Sequence, residues 1–262
     1  MKGKTGELLY FLLWSADQLS RPTFRNLTDS FESWSYRNGL SFQLSRLEKL
    51  QLVEREDSSS QSRLYRLTAK GRIMAMGGRD PVACWSRPWD GQWRLVLFDV
   101  PMLRNSHRDR LRNYLRSLGF GVLQGSVWIS PDLPESELEL LRGGGTDVNS
   151  LIVLEARPSA GERDAEIVAG AWDFEEIHRN YEEYLKLLAE RPTAPLADRT
   201  VAVSLRRWAE QEREAWREIA EVDPFLPKPL LPRGYLGFQA WDRRVSVLRK
   251  ARQQLQTFST GW

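Results

Sequence analysis

The stretch that most constrains the fold is a leucine-periodic segment followed by two short β-type runs. Leucines recur there at helical spacing, or close to it, at Leu40, Leu44, Leu47 and Leu50. This spacing predicts an amphipathic helix over Ser41–Leu50. Leu52–Glu56 and Arg63–Thr68 have the composition of strands, and the turn-forming residues of Asp57–Ser62 separate them. The segment therefore predicts a helix followed by a β-hairpin.

The face of this helix opposite the leucines carries two cations, a hydroxyl and an aromatic ring, and no acid. Its residues are Phe42, Ser45, Arg46 and Lys49. Phosphates attract cations, whereas base edges favour short polar or bidentate side chains. We therefore predict a winged helix-turn-helix whose DNA-binding residues are Ser41, Phe42, Ser45, Arg46, Lys49 and, on the hairpin, Arg63. Use of the same unit for protein contact is the alternative.

Composition and charge limit the class of protein. The 262-residue chain contains no apolar run long enough for a membrane span. One cysteine, Cys84, and two histidines exclude an intramolecular disulfide and a zinc-finger spacing. Residues 1–80 carry 13 Lys and Arg against 9 Asp and Glu, whereas residues 131–192 carry 6 against 15. We expect a cytoplasmic protein without a cofactor, with a nucleic-acid face near its N-terminal end.

Hydrophobic periodicity predicts three modules. Two helices, over Gly6–Ala16 and Thr23–Trp34, precede the segment described above. In the middle of the chain, alternating strands and helices give a βαββαβ order. These elements are a strand over Arg94–Val100, a helix with Leu111, Leu115 and Leu118 on its core side and Gly119 after its end, strands over Phe120–Leu123 and Ser126–Ser130, a helix over Pro134–Leu141 and a strand over Ser150–Ala156. Three further helices follow from Asp173 onward.

The predicted fold class is therefore α+β, with a central ferredoxin-like domain. The predicted domains are a winged-helix domain over residues 1–78, the ferredoxin-like domain over 85–160 and a helical C-terminal domain over 170–262. Trp172, Tyr181 and Tyr184 are candidates for lining an aromatic ligand pocket, although core packing is the favoured role for each.

Four strings of the sequence, taken in this order, resemble the PaaX family of bacterial repressors, best known for controlling phenylacetate catabolism. They are LSRLEKLQLVERE…RLYRLTAKG at 44–71, WDGQWRLVLFDVP at 89–101, LRNYLRSLGFGVLQGSVWISP at 111–131 and DPFLPKPLLPRGYLG at 223–237. The resemblance implies a homodimeric DNA-binding repressor whose middle domain resembles a CRISPR adaptation nuclease fold. It also implies release from DNA by an aryl- or acyl-coenzyme A thioester. Two departures are Leu52, where a glycine is expected, and a longer, serine-rich hairpin tip.

The resemblance also draws attention to Asp99, because the matching position of the related nuclease fold is a metal-binding carboxylate. Phosphodiester cleavage normally needs several converging oxygen ligands, and no companion acid lies nearby in the sequence. We therefore predict a ligand-responsive repressor that binds a palindromic operator as a homodimer, is not an enzyme and has no catalytic residues. A metal-dependent nuclease using Asp99 and a non-catalytic interaction scaffold are the alternatives.

Overall fold

The computed structural model describes residues 41–57, 63–99, 105–125, 127–132, 150–159, 163–194 and 199–259. Its elements, numbered over these residues, are α1 (Ser41–Lys49), β1 (Val53–Asp57), β2 (Arg63–Leu67), α2 (Ala69–Ala75), α3 (Pro81–Ser86), β3 (Trp93–Asp99), α4 (Asn105–Ser117), β4 (Gly121–Gln124), β5 (Val127–Ser130), β6 (Ser150–Ala156), α5 (Asp164–Ala171), α6 (Phe174–Ala189), α7 (Arg199–Val222) and α8 (Gly237–Ser259). The predicted α+β class is confirmed. The helices predicted over 6–16, 23–34 and 134–141 lie outside the described residues.

The chain divides into two compact units. The first combines residues up to 80 with residues 182–217 and 237–262, and the second combines residues 81–181 with residues 218–236. The three predicted domain ranges stay a prediction. None of the described helices is both long enough and apolar enough to cross a bilayer.

An antiparallel sheet forms the framework of the second unit. Its strand order is β4-β5-β3-β6, so β3 lies between two strands that are distant from it in sequence. The register pairs Arg94 with Ser130 on one side of β3, and Phe98 with Leu151 on the other. This order, with α4 between β3 and β4, is the one expected of a split βαβ arrangement.

The helix α4 covers one face of this sheet. Leu111 and Leu115 pack against a cluster formed by Val96, Phe98, Phe120 and Trp128. Gly119 adopts φ 88°, and its N–H donates to the carbonyl of Arg116 at 2.8 Å. The predicted glycine after the helix is therefore confirmed.

The prediction that Leu118 lines the core is wrong, because its side chain is 39% exposed. The helix has already ended at Ser117, and the Phe120 N–H donates back to the Leu115 carbonyl at 3.0 Å. Because the chain turns back in this way, Phe120, which is 4% exposed, fills the core position that the helical spacing predicts for Leu118.

The other face of the sheet is covered by α5, a helix that the sequence analysis missed, and by Leu226 and Leu230 from the segment that precedes α8. Trp93 and Ile129 from the sheet contact Val168 and Trp172 in this cluster. The Trp172 indole N–H donates to the carbonyl of Gly119 at 3.2 Å. Trp172 is therefore a core residue, which is the role that the sequence analysis favoured.

A fully buried ion pair holds the C-terminal helices of the first unit together. Arg244 Nε donates to Glu212 Oε1 at 2.8 Å, and both side chains are 0% exposed. The Tyr184 hydroxyl donates to the same carboxylate oxygen, and the Arg244 guanidinium lies 4.6 Å from the ring centroid of Trp216. Burial raises the pKa of Glu212, and the adjacent Arg244 opposes that shift. Tyr184 is thus a buried packing residue and lies in this network.

Replacing Arg244 by Met should lower the free energy of unfolding by about 3–5 kcal/mol, because it leaves the Glu212 carboxylate buried without its cation. The folded-state pKa of Glu212 is already raised, and loss of the cation raises it further. A raised carboxyl pKa costs stability above the unfolded-state value and none below it. The deficit should therefore be larger at pH ~7 than at pH ~4, as measured by urea unfolding at both values.

The matched control is Arg243→Met, which removes an exposed cation from the neighbouring position of the same helix. A deficit for Arg244→Met that equals that of the control, or that does not change with pH, would show that the pair does not stabilise this unit.

Candidate nucleic-acid interface

The two faces of α1 differ as the sequence predicts. Leu44 is 5% exposed and Leu47 is 0% exposed, so the leucine side of the helix is buried. On the opposite side Phe42 is 72% exposed, and Ser45, Arg46 and Lys49 are exposed with it. The predicted outward face is confirmed, and Ser41 is the first residue of the helix.

The end of α1 is closed by two backbone hydrogen bonds. The Gln51 N–H donates to the Glu48 carbonyl at 2.8 Å, and the Leu52 N–H donates to the Leu47 carbonyl at 2.9 Å. These bonds define a Schellman motif, with Gln51 in the left-handed conformation at φ 57°. The prediction that Leu50 extends the buried stripe is wrong, because its side chain is 40% exposed where the chain leaves the helix.

The Schellman motif also explains why Leu52 stands where a glycine is expected. The left-handed residue that favours glycine is Gln51, one position earlier. Leu52 is 2% exposed and is the apolar residue that follows such a turn. Strand β1 therefore begins at Val53, one residue later than predicted.

The strands β1 and β2 form the predicted antiparallel hairpin. Their register runs from the pair Val53 and Leu67, near α1, to the pair Asp57 and Arg63, next to the tip. Arg63 therefore occupies the position nearest the tip on β2. The tip residues 58–62, including the serine-rich part, lie outside the described residues.

Thr68 links the end of α1, the hairpin and the start of α2. Its backbone N–H donates to the Leu52 carbonyl at 3.1 Å, and its hydroxyl donates to the Gln51 carbonyl at 2.7 Å. The same hydroxyl accepts a hydrogen bond from the Gly71 N–H at 2.9 Å, so Thr68 is the N-cap of α2. The sequence analysis missed this role, although a threonine before an Ala-Lys-Gly run is an N-cap signal.

Gly71 packs directly against the backbone that follows α1. A Cβ atom at this position would lie 1.9 Å from the Leu52 carbonyl oxygen, so only glycine fits without displacing the chain. Lys70 Nζ donates to the Leu50 carbonyl at 3.3 Å. The start of α2 therefore fixes the direction in which α1 leads into the hairpin.

The far end of α2 is bound by the C-terminal helices of the same unit. The Trp216 indole N–H donates to the Met76 carbonyl at 2.7 Å in a buried contact. The ring centroids of Trp216 and Trp241 lie 5.4 Å apart. The helix–hairpin segment is thus part of a compact unit and does not depend on its own small core alone.

Electrostatics favour an anionic partner for the exposed face of α1. Across the residues that the structure describes, neither Arg46 nor Lys49 forms an ion pair, so both charges face solvent. On the hairpin, by contrast, Arg66 lies 3.7 Å from Glu54. Of these cations, those on the helix are therefore the ones without an acidic neighbour in the described part of the chain.

The other candidate, Asp99, is the last residue of β3 and pairs with Ser150. Within the described ranges, no three His, Cys, Asp or Glu side chains lie close enough together to hold a metal ion. A metal-binding role for Asp99 stays a prediction.

Two family models match adjacent parts of this chain. The model of the PaaX protein central Cas2-like domain matches residues 86–168, and the model of the PaaX-like protein C-terminal domain matches residues 172–260. The chain belongs to the PaaX family. The matched ranges cover the sheet of the second unit and all the helices from α6 onward.

This PaaX-family chain is also similar to the transcriptional repressor PaaX of Escherichia coli (strain K12), with 26% identity over 194 residues. The alignment covers 71% of this chain and 60% of the length of that repressor. Among solved structures, the uncharacterized protein Rv0674 from Mycobacterium tuberculosis is similar, with 22% identity, 84% of each chain covered and a TM-score of 0.49.

Replacing Gly71 by Ala should lower the free energy of unfolding of the first unit by about 1–3 kcal/mol, because the new methyl group displaces the Leu52 backbone. The matched control is Gly170→Ala, in α5, where a Cβ atom meets nothing within 4 Å. The control should raise stability by roughly 0.5–1 kcal/mol, since alanine favours a helix. Calorimetry of both variants checks the contact, and equal effects would contradict it.

Replacing Gln51 by Gly should raise the free energy of unfolding by about 0.5–1 kcal/mol, because glycine adopts the left-handed conformation without steric cost. Gln51→Ala keeps the Cβ atom and should give no such gain. Thermal unfolding of both variants separates relief of backbone strain from simple loss of the glutamine side chain. An equal gain in the two variants would argue against the left-handed turn.

Proposed function

We propose that this chain is a ligand-responsive transcriptional repressor that binds double-stranded DNA as a homodimer. The observation that carries the proposal is the exposed face of α1, where Arg46 and Lys49 accompany Phe42 and Ser45 on a helix anchored by its opposite side. A helix of this kind, followed directly by a hairpin, suits a winged helix-turn-helix with α1 in the major groove.

Each residue of the proposed interface has a role that fits its chemistry. Arg46 and Lys49 contact phosphates, and Arg46 also reaches a guanine edge. Ser45 hydrogen-bonds a base edge, and Phe42 contacts a thymine methyl group. Ser41 lies at the N-terminal end of the helix, and Arg63 contacts the phosphate backbone from the hairpin.

Repression is supported by the similarity to the E. coli protein, a transcriptional repressor. The similarity spans 60% of the length of that protein. A homodimer would place two copies of α1 in half-sites of a palindromic operator, about 34–36 Å apart or a multiple of this distance. We further propose a cytoplasmic location, where the operator is accessible.

Release from DNA is proposed to follow binding of a small acidic effector, such as an aryl- or acyl-coenzyme A thioester. A ligand can shift an equilibrium only by its differential affinity for the two states. A preference of about 100-fold for the DNA-free state supplies about 2.7 kcal/mol, which is enough to empty a site of moderate affinity.

Replacing both Arg46 and Lys49 by Ala should weaken binding to the preferred duplex and reduce the slope of log affinity against log salt by about two, because two phosphate contacts are lost. The matched control is Arg249→Ala with Lys250→Ala, which removes two exposed cations from α8. Fluorescence anisotropy at several salt concentrations measures both variants. If the control weakens binding as much as the α1 variant, net charge and not the α1 face governs affinity.

A metal-dependent nuclease is the second candidate function, because the central domain matches a Cas2-like family model. A repressor should protect one discrete palindrome in a footprint and leave the DNA intact when Mn²⁺ is present. Cleavage that is lost in Asp99→Asn would support the nuclease. If the protein retains no duplex better than a random competitor, the interaction scaffold is the better proposal.

A further inference from the structure

A cavity of about 410 Å³ opens in the second unit, between the first half of α6 and the segment 232–236. This volume is in the range of small-molecule sites, which is about 300–1,000 Å³. Its lining combines aromatic rings with exposed charged side chains, and no residue of the proposed DNA interface belongs to it. Tyr181 is among its lining residues but is 0% exposed, in keeping with the core role that the sequence analysis favoured.

Two half-buried aromatic rings, Phe174 and Tyr235, form the apolar part of the cavity, and the fully buried Tyr181 packs against Tyr235. The Tyr235 ring lies edge-on to Phe174, with centroids 6.3 Å apart, and edge-on to Tyr181, with centroids 5.7 Å apart. Edge-to-face packing of this kind holds the rings in fixed orientations. The cavity therefore presents a preformed aromatic surface.

The polar atoms of this surface are already engaged within the protein. The hydroxyls of Tyr181 and Tyr235 donate to Asp223 Oδ2 at 2.7 and 2.6 Å, and the Trp85 indole N–H donates to the Tyr235 hydroxyl at 3.1 Å. Burial raises the pKa of both tyrosines, so they remain neutral phenols. A ligand consequently meets ring carbons here and not hydroxyl groups.

The rim of the cavity is positively charged. Arg179, from α6, and Arg233, from the opposite wall, are both exposed and line the opening together with Glu175. In the part of the chain that the structure describes, neither arginine forms an ion pair. Arginine binds carboxylates and phosphates through paired N–H donors, so this rim suits an acidic group.

Aromatic rings alone would also suit a cationic ligand, because their faces attract positive charge. The carboxylate of Asp223 is 0% exposed and is occupied by the two phenol donors, so it does not present its charge to the opening. The rim carries two arginines and one glutamate, so its net charge is positive and it attracts anions.

We propose that this cavity binds a small organic anion, with an aromatic or apolar group on the rings of Phe174 and Tyr235 and an acidic group at Arg179 and Arg233. Its role as the effector site rests on the proposed function above. A coenzyme A thioester would place its acyl group on the rings and extend its phosphates past the rim. A free carboxylic acid would use the same rings and place its carboxylate at the arginines.

Isothermal titration calorimetry of the full chain tests binding with three probes: benzoate, benzoyl-coenzyme A and benzyltrimethylammonium. The anionic probes should bind, and Arg179→Ala with Arg233→Ala should weaken them about tenfold or more, because charged hydrogen bonds are lost. Both arginines are exposed, so the variants should keep the wild-type melting temperature. The control Arg157→Ala, an exposed cation outside the cavity, should bind like the wild type.

Binding of benzoate identifies a free acid as sufficient, whereas binding of benzoyl-coenzyme A alone identifies a thioester. The proposal is overturned if neither anion binds, if the double variant binds them as tightly as the wild type, or if the ammonium probe binds best. If the protein binds the anions but no DNA, the cavity proposal stands and the repressor proposal is wrong. If it binds DNA but neither anion, the cavity proposal is wrong and the repressor proposal stands.

Discussion

The contact between Gly71 and the Leu52 carbonyl determines how the exposed helix is presented. Helix α1 ends in a Schellman motif, and the carbonyl of the residue that follows accepts the Thr68 N–H while the backbone of α2 packs against it. Because Thr68 also caps α2, the hydrogen bonds of one residue connect the end of α1, the hairpin and α2. Rigid presentation matters for groove binding, since base contacts tolerate little error in register. The Trp216 bond to Met76 extends this restraint to the C-terminal helices of the same unit.

Local periodicity was sufficient to predict α1, its two faces and the hairpin, because these features depend on residues within one or two turns. It failed at the same place in two helices. Leu50 and Leu118 continue a leucine spacing, yet each follows the last helical residue and points toward solvent, while Leu52 and Phe120 take the buried positions. The helix ends depend on a left-handed residue. At the end of α4 the left-handed residue is Gly119, which the sequence makes predictable, whereas at the end of α1 it is Gln51, which gives no such signal.

Interactions between distant residues could not be predicted in this way. Glu212 and Arg244 look like ordinary surface charges on two amphipathic helices, and only packing shows that they are fully buried together. The three aromatic candidates for a ligand pocket, Trp172, Tyr181 and Tyr184, are all buried, which is the role that the sequence analysis favoured, but only the packed structure shows which core each one joins. The order of strands in the central sheet was predictable, because a βαββαβ sequence of elements has few ways to pair without crossing connections.

Photocrosslinking tests the central claim, that the outward face of α1 meets DNA, most directly. A benzophenone amino acid is placed at position 42, where the native side chain is 72% exposed, and at position 203, where it is 53% exposed. Each protein is irradiated with the duplex that the wild-type protein enriches from a random library. If this face meets DNA, crosslinks to bases of that duplex form from position 42 and none form from position 203. Crosslinking from position 203 alone, with none from position 42 in a protein that still binds the duplex, would contradict it.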